Sequence, residues 1–363
     1  MKTTPLFSGS YPAEDVQFLL TQLSMPDTPV AIKESLIQSG QKHYSQLLSH
    51  ESLPTPEYLD LFYQAMAANK NRVAEHILIL AEQIVATRPH GITLVSLLRA
   101  GTPVGVLLKR VLKQYFDTDV AHYGISIIRD VGLDTQALRY IAKRHAPETW
   151  VFVDGWTGKG VIAKQLADSL QAFALSDGLS IPAELYVLAD LSGSATVAVT
   201  SEDYLLPSCI LNATVSGLVS RSIYDNNLLT QADFHGCVYY EQFKAQDLSN
   251  YFVDEIMASV ASFWQSPSKR FLPNRDNVQL QNASQKLLRL LSERYQISRT
   301  HYIKPGIGEA TRVLLRREAR LLLLQDLAAT ETLHLRWLAE SKAIPITVCH
   351  ELPYRAVALI KEL

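Results

Sequence analysis

From Gly91 onward, short apolar runs alternate with amphipathic segments of helical period, and this alternation narrows the fold more than any other feature. Ile92–Leu98 is a continuous apolar run, as a strand buried on both faces requires. Thr102 and Pro103 are then suited to the N-cap and the first residue of a helix. The strand–helix pattern repeats from the short apolar strand Trp150–Val153. The pattern predicts an α/β fold with a mostly parallel sheet and helices on both faces. Ligands bind such sheets at the carboxyl ends of the strands.

Composition excludes several classes of protein. With 363 residues, 47% hydrophobic and 19% charged, the chain is neither disordered nor of low complexity, and its length favours two or three domains. No apolar run approaches the ~20 residues that span a bilayer, and the N-terminus lacks the apolar region of a secretory signal. Cys209, Cys237 and Cys349 are too few for a disulfide framework. We therefore expect a cytoplasmic protein with free thiols and no membrane partner.

Changes in pattern divide the chain into four segments. Residues 1–90 are predicted to form a helical N-terminal extension, 91–265 the α/β domain, 266–282 a linker, and 283–363 a small α/β/α domain. The whole chain has 34 basic and 36 acidic residues, but Ser266–Leu363 has 16 and 9, which leaves 18 and 27 before it. The C-terminal excess of positive charge is typical of a module that binds a polyanion such as RNA, or of a basic solvated surface.

Two turns follow predicted strands and carry groups that suit phosphate. Arg99 with the Gly101 backbone could hold a pyrophosphate, and Asp154 at the end of the next strand would face a ribose diol or Mg²⁺. The glycines of the second turn allow close backbone approach at a helix N-terminus. The alternative is a pair of ordinary strand–helix connections. The phosphate- and ribose-binding residues that we predict are Gly101, Thr102, Thr157, Gly158, Lys159 and Gly160.

The strings S-L-L-R-A-G-T-P and V-F-V-D-G-W-T-G-K-G resemble the pyrophosphate and phosphoribosyl-pyrophosphate loops of type I phosphoribosyltransferases. This resemblance implies a phosphoribosyltransferase-like sheet, catalytic roles for Asp154 and Arg99, and phosphoribosyl pyrophosphate with Mg²⁺ bound at Asp154. The family places two acidic residues before its spacer, whereas here the second is Gly155 and Trp156 lies within the loop.

A narrower resemblance rests on I-S-I-I-R-D, L-N-A-T-V-S-G-L-V-S-R-S and D-F-H-G-C-V-Y-Y. These strings are similar to the cysteine protease StiP family of tellurium-resistance-type stress operons. The resemblance implies a peptidase in which Cys209 or Cys237 acts with His235. Because side chains two apart on a strand share a face, His235 and Cys237 could meet. The alternative is that these are ordinary buried cysteines and a structural histidine.

The C-terminal string P-G-I-G-E-A-T-R-V-L-L-R-R resembles the kink-turn RNA-binding domain of pelota and related ribosomal proteins. Relative to that pattern, a glycine replaces an asparagine and an arginine replaces a lysine. The resemblance implies binding of structured RNA, and the alternative is a glycine-capped helix with a solvated basic face. The RNA-binding residues that it implies are Gly306, Gly308, Glu309, Arg312 and Arg316.

Three functions are therefore predicted. The first is a phosphoribosyltransferase-like enzyme, or a binder of a phosphorylated ribose, in a bacterial stress response. The second is a cysteine protease, and the third is a non-catalytic RNA-binding regulator. The acceptor, the RNA and the formation of a homo-oligomer stay open. The first function depends on amides of residues 157–160 that surround an anion at an open edge of the sheet.

Overall fold

The computed structural model describes residues 7–265, 272 and 274–362. Its helices, in chain order, are α1 Val30–Gln38, α2 Pro56–Thr87, α3 Gly101–Phe116, α4 Thr135–Ala142, α5 Val161–Asp177, α6 Ser249–Trp264, α7 Asn277–Tyr295, α8 Ile307–Arg316 and α9 Leu333–Ser341. Its strands are β1 Gln17–Phe18, β2 Thr21–Gln22, β3 Ile92–Leu97, β4 Val120–Ile125, β5 Ile127–Ile128, β6 Gly132–Leu133, β7 Trp150–Thr157, β8 Leu185–Asp190, β9 Val197–Thr200, β10 Gly236–Cys237, β11 Ile303–Pro305, β12 Ala319–Leu324, β13 Ile346–Val348 and β14 Ala356–Ile360.

The larger domain is built on a six-stranded sheet in the order β1-β4-β3-β7-β8-β9, and every pair of neighbours is parallel. The predicted parallel α/β sheet is thereby confirmed. After β3 the chain adds β4 on one side and β7 on the other. The carboxyl ends of β3 and β7 therefore lie at a topological switch point, where an open α/β sheet leaves a crevice for ligands.

Alternate residues of the central strands enter two apolar layers. Leu94 and Val151 join the layer that includes α2, α3 and α6, whereas Val95 and Phe152 join the layer that includes α4 and α5. All six residues of β3 are buried, Thr93 and Ser96 included, because a strand covered on both faces has no solvent side. A helical layer on each face leaves the carboxyl edge of the sheet free to meet the second domain.

Two segments differ from the sequence-based expectation. The N-terminal extension is not purely helical, because β1 pairs with β4 and β2 pairs with β10. Strand β7 continues to Thr157 instead of ending at Val153, since its last residue still pairs with Asp190 of β8. The first residues of the second predicted turn, which follows Val153, therefore belong to the strand, and Asp154 lies in the sheet.

The C-terminal domain has a four-stranded sheet in the order β11-β14-β12-β13, together with α7, α8 and α9. Helix α7 begins at Asn277, because the Asp276 side chain accepts a hydrogen bond from Gln279 N at 2.9 Å. The predicted linker 266–282 thus overlaps a helix, and its residues 266–271 and 273 lie outside the described residues. Helix α9 packs against α2, so the apolar core is continuous between the domains.

None of the helices in 7–265 or 274–362 combines the length and the hydropathy that crossing a bilayer requires.

Candidate functional site

The carboxyl ends of β3 and β7 face the C-terminal domain, and two adjoining cavities lie at this boundary. The first, here called the cationic cleft, has a volume of about 290 Å³ and is lined by residues 157–160 and by side chains of α8. The second, here called the thiol cavity, has a volume of about 200 Å³ and is lined by Arg99 and Cys209. Trp156, Arg312 and Arg316 line both cavities, so the two form one composite region.

Asp154 and Thr157 have different surroundings at the end of β7. Asp154 is 9% exposed, lines the cationic cleft, and accepts a hydrogen bond from Gly155 N at 2.7 Å. Burial raises the pKa of Asp154 to about 6, although Arg312 opposes that shift. The Thr157 hydroxyl instead donates to Asp190 and lies 3.2 Å from Ser192 Oγ. The Asp154 side chain therefore lines the cleft, whereas the Thr157 hydroxyl is already bonded to the neighbouring loop.

Lys159 and its flanking glycines join the two domains. Lys159 Nζ donates to the carbonyl oxygens of Thr300 and Ile303, both at 2.8 Å. A Cβ at Gly158 would lie 3.0 Å from Pro305 O, so glycine permits this close approach. Gly160 has φ +76° where α5 begins. The backbone amides of residues 158–160 have no hydrogen-bond acceptor within the described ranges.

The face of α8 that was expected to bind RNA forms the opposite wall of the cleft. A Cβ at Gly308 would lie 2.3 Å from Trp156 Cε2, so this glycine lets the indole pack directly on the helix. Arg312 lies 4.5 Å from the centre of the Trp156 ring and donates to Glu309 at 2.7 Å. Arg316 donates to Asn212 Oδ1 at 2.7 Å. The predicted RNA-binding residues thus contact the larger domain.

The first turn of α8 is held by a carboxylate from the larger domain. Asp203 accepts hydrogen bonds from Ile307 N at 2.9 Å and Arg355 N at 2.8 Å, and burial raises its pKa to about 6. Gly306 has φ +88°, and a Cβ there would lie 2.6 Å from Leu191 Cδ1. Asp203 therefore already places a carboxylate at the N-terminus of α8.

Positive charge exceeds negative charge in the cationic cleft. Among its lining residues the carboxylates are Asp154 and Glu309. Burial opposes ionisation of Glu309, but Arg312 and two neighbouring lysines hold its pKa at about 2. Burial and nearby cations lower the pKa of both Lys33 and Lys159 to about 7. The basic residues that line the cleft are Lys33, Arg129, Lys159, Arg221, Lys304, Arg312, Arg316 and Arg317.

In the first predicted turn, which follows β3, Arg99 lines a cavity, whereas Gly101 and Thr102 lie in the protein core. Arg99 lines the thiol cavity and donates to Val219 O at 2.9 Å and Asn212 Oδ1 at 3.3 Å. Gly101 and Thr102 are buried in the first turn of α3 and line neither cavity. A Cβ at Gly101 would lie 2.3 Å from Val153 O, so this glycine lets α3 start against β7.

Cys209 is 5% exposed and lies at the domain boundary. Its Sγ is 3.9 Å from Thr311 Oγ1, which is in turn 2.8 Å from His334 Nε2. Burial raises the pKa of the Cys209 thiol to about 12, so the thiol is protonated at neutral pH in this arrangement. Thr311 and His334 belong to the C-terminal domain, so they were not expected from the strings that led to Cys209.

The structure does not join His235 to Cys237. Cys237 is fully buried, and burial raises its pKa to about 12. His235 Nδ1 lies 2.8 Å from Ser126 Oγ, and its backbone N–H donates to Asp134. No hydrogen bond links the Cys237 thiol to His235 in the described chain, and neither residue lines either cavity. Their assignment as a catalytic pair stays a prediction that lacks geometric support.

Sequence reasoning missed several residues of the cleft. Lys33 and Arg129 come from distant segments of the larger domain, and Lys304 directly precedes the predicted RNA motif. The basic balance of the C-terminal segment was a signal for Lys304. No spacing in the sequence signalled the others, because only folding brings them to one wall.

Together these features define an α/β protein whose sheet and second domain enclose a cationic cleft beside a buried thiol. A family model described as "Tellurite-like stress resistance cysteine protease StiP" matches residues 9–257, and one described as "PELOTA RNA binding domain" matches 282–362. The chain is 41% identical to the protein named Cysteine protease StiP of Acinetobacter baylyi, across 98% of this chain and 95% of that protein. The chain therefore belongs to the StiP family, and both resemblances are confirmed.

Two phosphoribosyltransferases are among the solved structures that match part of this chain. The hypoxanthine phosphoribosyltransferase of Trypanosoma cruzi is 19% identical, with a TM-score of 0.28, over 38% of this chain and 82% of that chain. The enzyme of Leishmania tarentolae in complex with GMP is 14% identical, with a TM-score of 0.28 and the same coverage. The fold assignment rests on the strand order of the chain itself.

Proposed function

We propose that this chain is a cysteine-dependent peptidase in which Cys209 is the nucleophile. The relative that is 41% identical is named a cysteine protease, and the family model carries the same description. The observation that carries the choice of residue is that Cys209 lines a cavity at the switch point of the sheet, whereas Cys237 is sealed in the core. Cys349 lies outside both cavities.

In this proposal the Cys209 sulfur attacks the carbonyl carbon of a peptide bond. A thioester forms, the amine leaves with a proton, and water then hydrolyses the thioester and restores the thiol. The thiol must first lose its proton, and the nearest imidazole, that of His334, is reached through the Thr311 hydroxyl. At rest that hydroxyl donates to Ile307 O at 2.7 Å, so it must turn toward His334 before it can relay the proton.

Hydrolysis of a denatured protein substrate by the full chain tests this proposal. Cys209→Ala should abolish hydrolysis, and Cys237→Ala is the matched control because both thiols are buried. His334→Gln should lower the rate while leaving alkylation of the unfolded chain unchanged. Hydrolysis that persists in Cys209→Ala contradicts the assignment of the nucleophile.

A second candidate function is the binding of a phosphoribosyl ligand in the cationic cleft, in the setting of a stress response. The excess of basic side chains at the end of β7 favours it. Asp154 could accept hydrogen bonds from ribose hydroxyls, while the free amides of residues 158–160 and the Lys304 ammonium face its phosphate. If transfer occurs, the site contributes by positioning the ligand and stabilising the pyrophosphate that departs.

The residues present do not fit a resident Mg²⁺ ion. Asp154 is a lone carboxylate near Arg312, and no group of three or more metal-binding side chains occurs among the described residues. Mg²⁺ usually keeps several waters and adds substrate phosphates to one or two carboxylates. Any Mg²⁺ would therefore have to enter on the phosphates of the ligand, and this expectation stays a prediction.

Thermal unfolding with phosphoribosyl pyrophosphate, with and without Mg²⁺, tests the second function. The ligand should raise the melting temperature, and Asp154→Ala should remove the shift. Asp168→Ala is the control, because that carboxylate lies exposed on α5. A ligand that leaves the melting temperature of the wild-type chain unchanged contradicts this function.

A further inference from the structure

The face of the C-terminal domain that was expected to bind RNA is not free in this protein. Gly308 packs on Trp156, Arg316 is bonded to Asn212, and the first turn of α8 is held by Asp203. These contacts come from three separate segments of the larger domain. A folded RNA could reach this face only after the domains had separated.

The same face nevertheless retains unbalanced positive charge. Arg129 and Arg317 pair with Asp130 and Glu34, two carboxylates outside the lining, and Lys304 and Arg312 share the single carboxylate of Glu309. Other cations of the cleft donate to neutral oxygens instead: Lys159 to the Thr300 and Ile303 carbonyls, Arg221 to the Tyr44 and Leu47 carbonyls, and Arg316 to Asn212. Charge that the protein itself leaves uncompensated in a partly buried cleft favours an anionic ligand.

The dimensions and the other lining groups narrow the class of ligand. A cleft of about 290 Å³ is at the small end for organic ligands, so it suits a single nucleotide better than a nucleic-acid helix. The Trp156 ring lines the cleft with Arg312 over one of its faces, and its indole N–H is buried without a hydrogen-bond partner among the described residues. Asp154 adds an acceptor for hydroxyl groups. Phosphate, sugar and base would each have a complementary group.

We propose that the pelota-like domain uses this face to complete a mononucleotide site with the larger domain, and that nucleotide and structured RNA exclude each other there. The proposal rests on the ligand cleft of the second candidate function, and it adds the partner domain and the competition. Lys304 and Arg312 would hold the phosphate from one side, and the amides of residues 158–160 from the other. The Trp156 ring would cover the base.

Binding of ribonucleoside 5′-monophosphates to the full chain tests the site, with the corresponding nucleosides as controls that lack the phosphate. The nucleotides should bind at least about tenfold more tightly than the nucleosides, as loss of one charged contact predicts. Lys304→Gln should weaken nucleotide binding to a similar extent. Arg289→Gln is the matched control, because Arg289 is an exposed cation of the same domain. Circular dichroism establishes that both variants fold.

The competition is measured with a kink-turn RNA, whose binding to the chain is titrated with and without saturating nucleotide. RNA binding that falls at least about tenfold with saturating nucleotide agrees with the proposal, and RNA binding that is undetectable even without nucleotide overturns the competition. RNA binding that is unaffected by saturating nucleotide overturns it. Equal binding of nucleotides and nucleosides, or equal effects of Lys304→Gln and Arg289→Gln, also overturns it. If neither nucleotides nor phosphoribosyl pyrophosphate bind, the second candidate function fails as well.

Discussion

The thiol cavity and the cationic cleft share Trp156, Arg312 and Arg316, but they differ in the other polar groups that line them. In the thiol cavity, Arg99 and Arg316 converge on Asn212 Oδ1, and the Cys209 thiol is neutral. In the cationic cleft, cations crowd one another, and two lysines have pKa values lowered to about 7. The comparison teaches that arginines line both cavities, whereas the candidate nucleophile lines the first and the lysines and Asp154 line the second.

The largest expected effect is the loss of peptide hydrolysis when the thiol cavity is altered and the cationic cleft is not. Cys209→Ser should lower peptide hydrolysis by at least about a thousand-fold, since a nucleophile makes its contribution in the transition state. Binding of phosphoribosyl pyrophosphate should not change, because the thiol does not line the cationic cleft. Hydrolysis rates and thermal shifts measured on one preparation check both statements. A variant that loses ligand binding together with hydrolysis would show that the cavities act as one.

The next effect concerns the carboxylate of the cationic cleft. Burial raises the pKa of Asp154 from 3.8 to about 6, so its contribution to stability is complete below the lower value and is lost as the pH rises through 6. A shift of this size corresponds to about 3 kcal/mol. Asp154→Asn should therefore raise the free energy of unfolding at pH 8 by up to about 3 kcal/mol and leave it nearly unchanged at pH 4.

Urea unfolding at both pH values measures the effect of Asp154→Asn, with Asp168→Asn as the exposed control. A stability difference that is the same at pH 4 and pH 8 would mean that ionisation of Asp154 is not its source.

A smaller effect is expected at the wall that both cavities share. A methyl group at Gly308 would meet the Trp156 ring, and overpacking of this kind costs about 1–3 kcal/mol. Gly308→Ala should lower the free energy of unfolding by that amount and change the tryptophan fluorescence. Adding Trp156→Leu should recover part of the loss, because the two substitutions act on one contact. Strictly additive losses would contradict the contact.

The smallest effect is expected away from both cavities. Lys164 and Asp168 form an exposed pair one turn apart on α5, at 2.5 Å. Lys164→Ala should change the free energy of unfolding by less than about 0.5 kcal/mol, as is typical of exposed pairs. It should also leave phosphate binding unchanged, although it removes the same charge as a substitution of Lys304. Weaker ligand binding by Lys164→Ala would show that net charge, and not the cleft, attracts the anion.

Strands and helices with a strong local signal could be predicted from sequence. The mostly apolar run at β3 predicted that strand, because full burial restricts residue type. Helix α3 was also predicted, but the predicted N-cap was wrong: the helix begins at Gly101 with Ala100 as its N-cap, and Thr102 lies inside it without a capping hydrogen bond. The end of β7 could not be predicted, because Asp154–Thr157 resembles a turn and is held in the strand by pairing with β8. Residues 277–282 looked like a linker because their helix buries few apolar side chains.

The candidate site was predicted in two separate parts. The phosphate turn and the RNA motif were each recognised from residue type and spacing, but their meeting in one cleft was not. Likewise, no pattern distinguishes Cys209 from Cys237, since both are small apolar side chains in buried segments. Their different environments arise because one lies where the two domains meet. The catalytic and ligand-binding roles, the cytoplasmic location and any homo-oligomer stay predictions.

The amino-acid sequence alone was enough to predict a parallel α/β domain, a basic C-terminal module and the family that each resembles. These features can be predicted because backbone conformation and strand burial depend on neighbouring residues. Tertiary structure decided that the basic module turns its motif inward, that Asp203 holds the first turn of α8, and which thiol lines a cavity. These outcomes depend on contacts between residues far apart in the chain, and such contacts leave no local pattern.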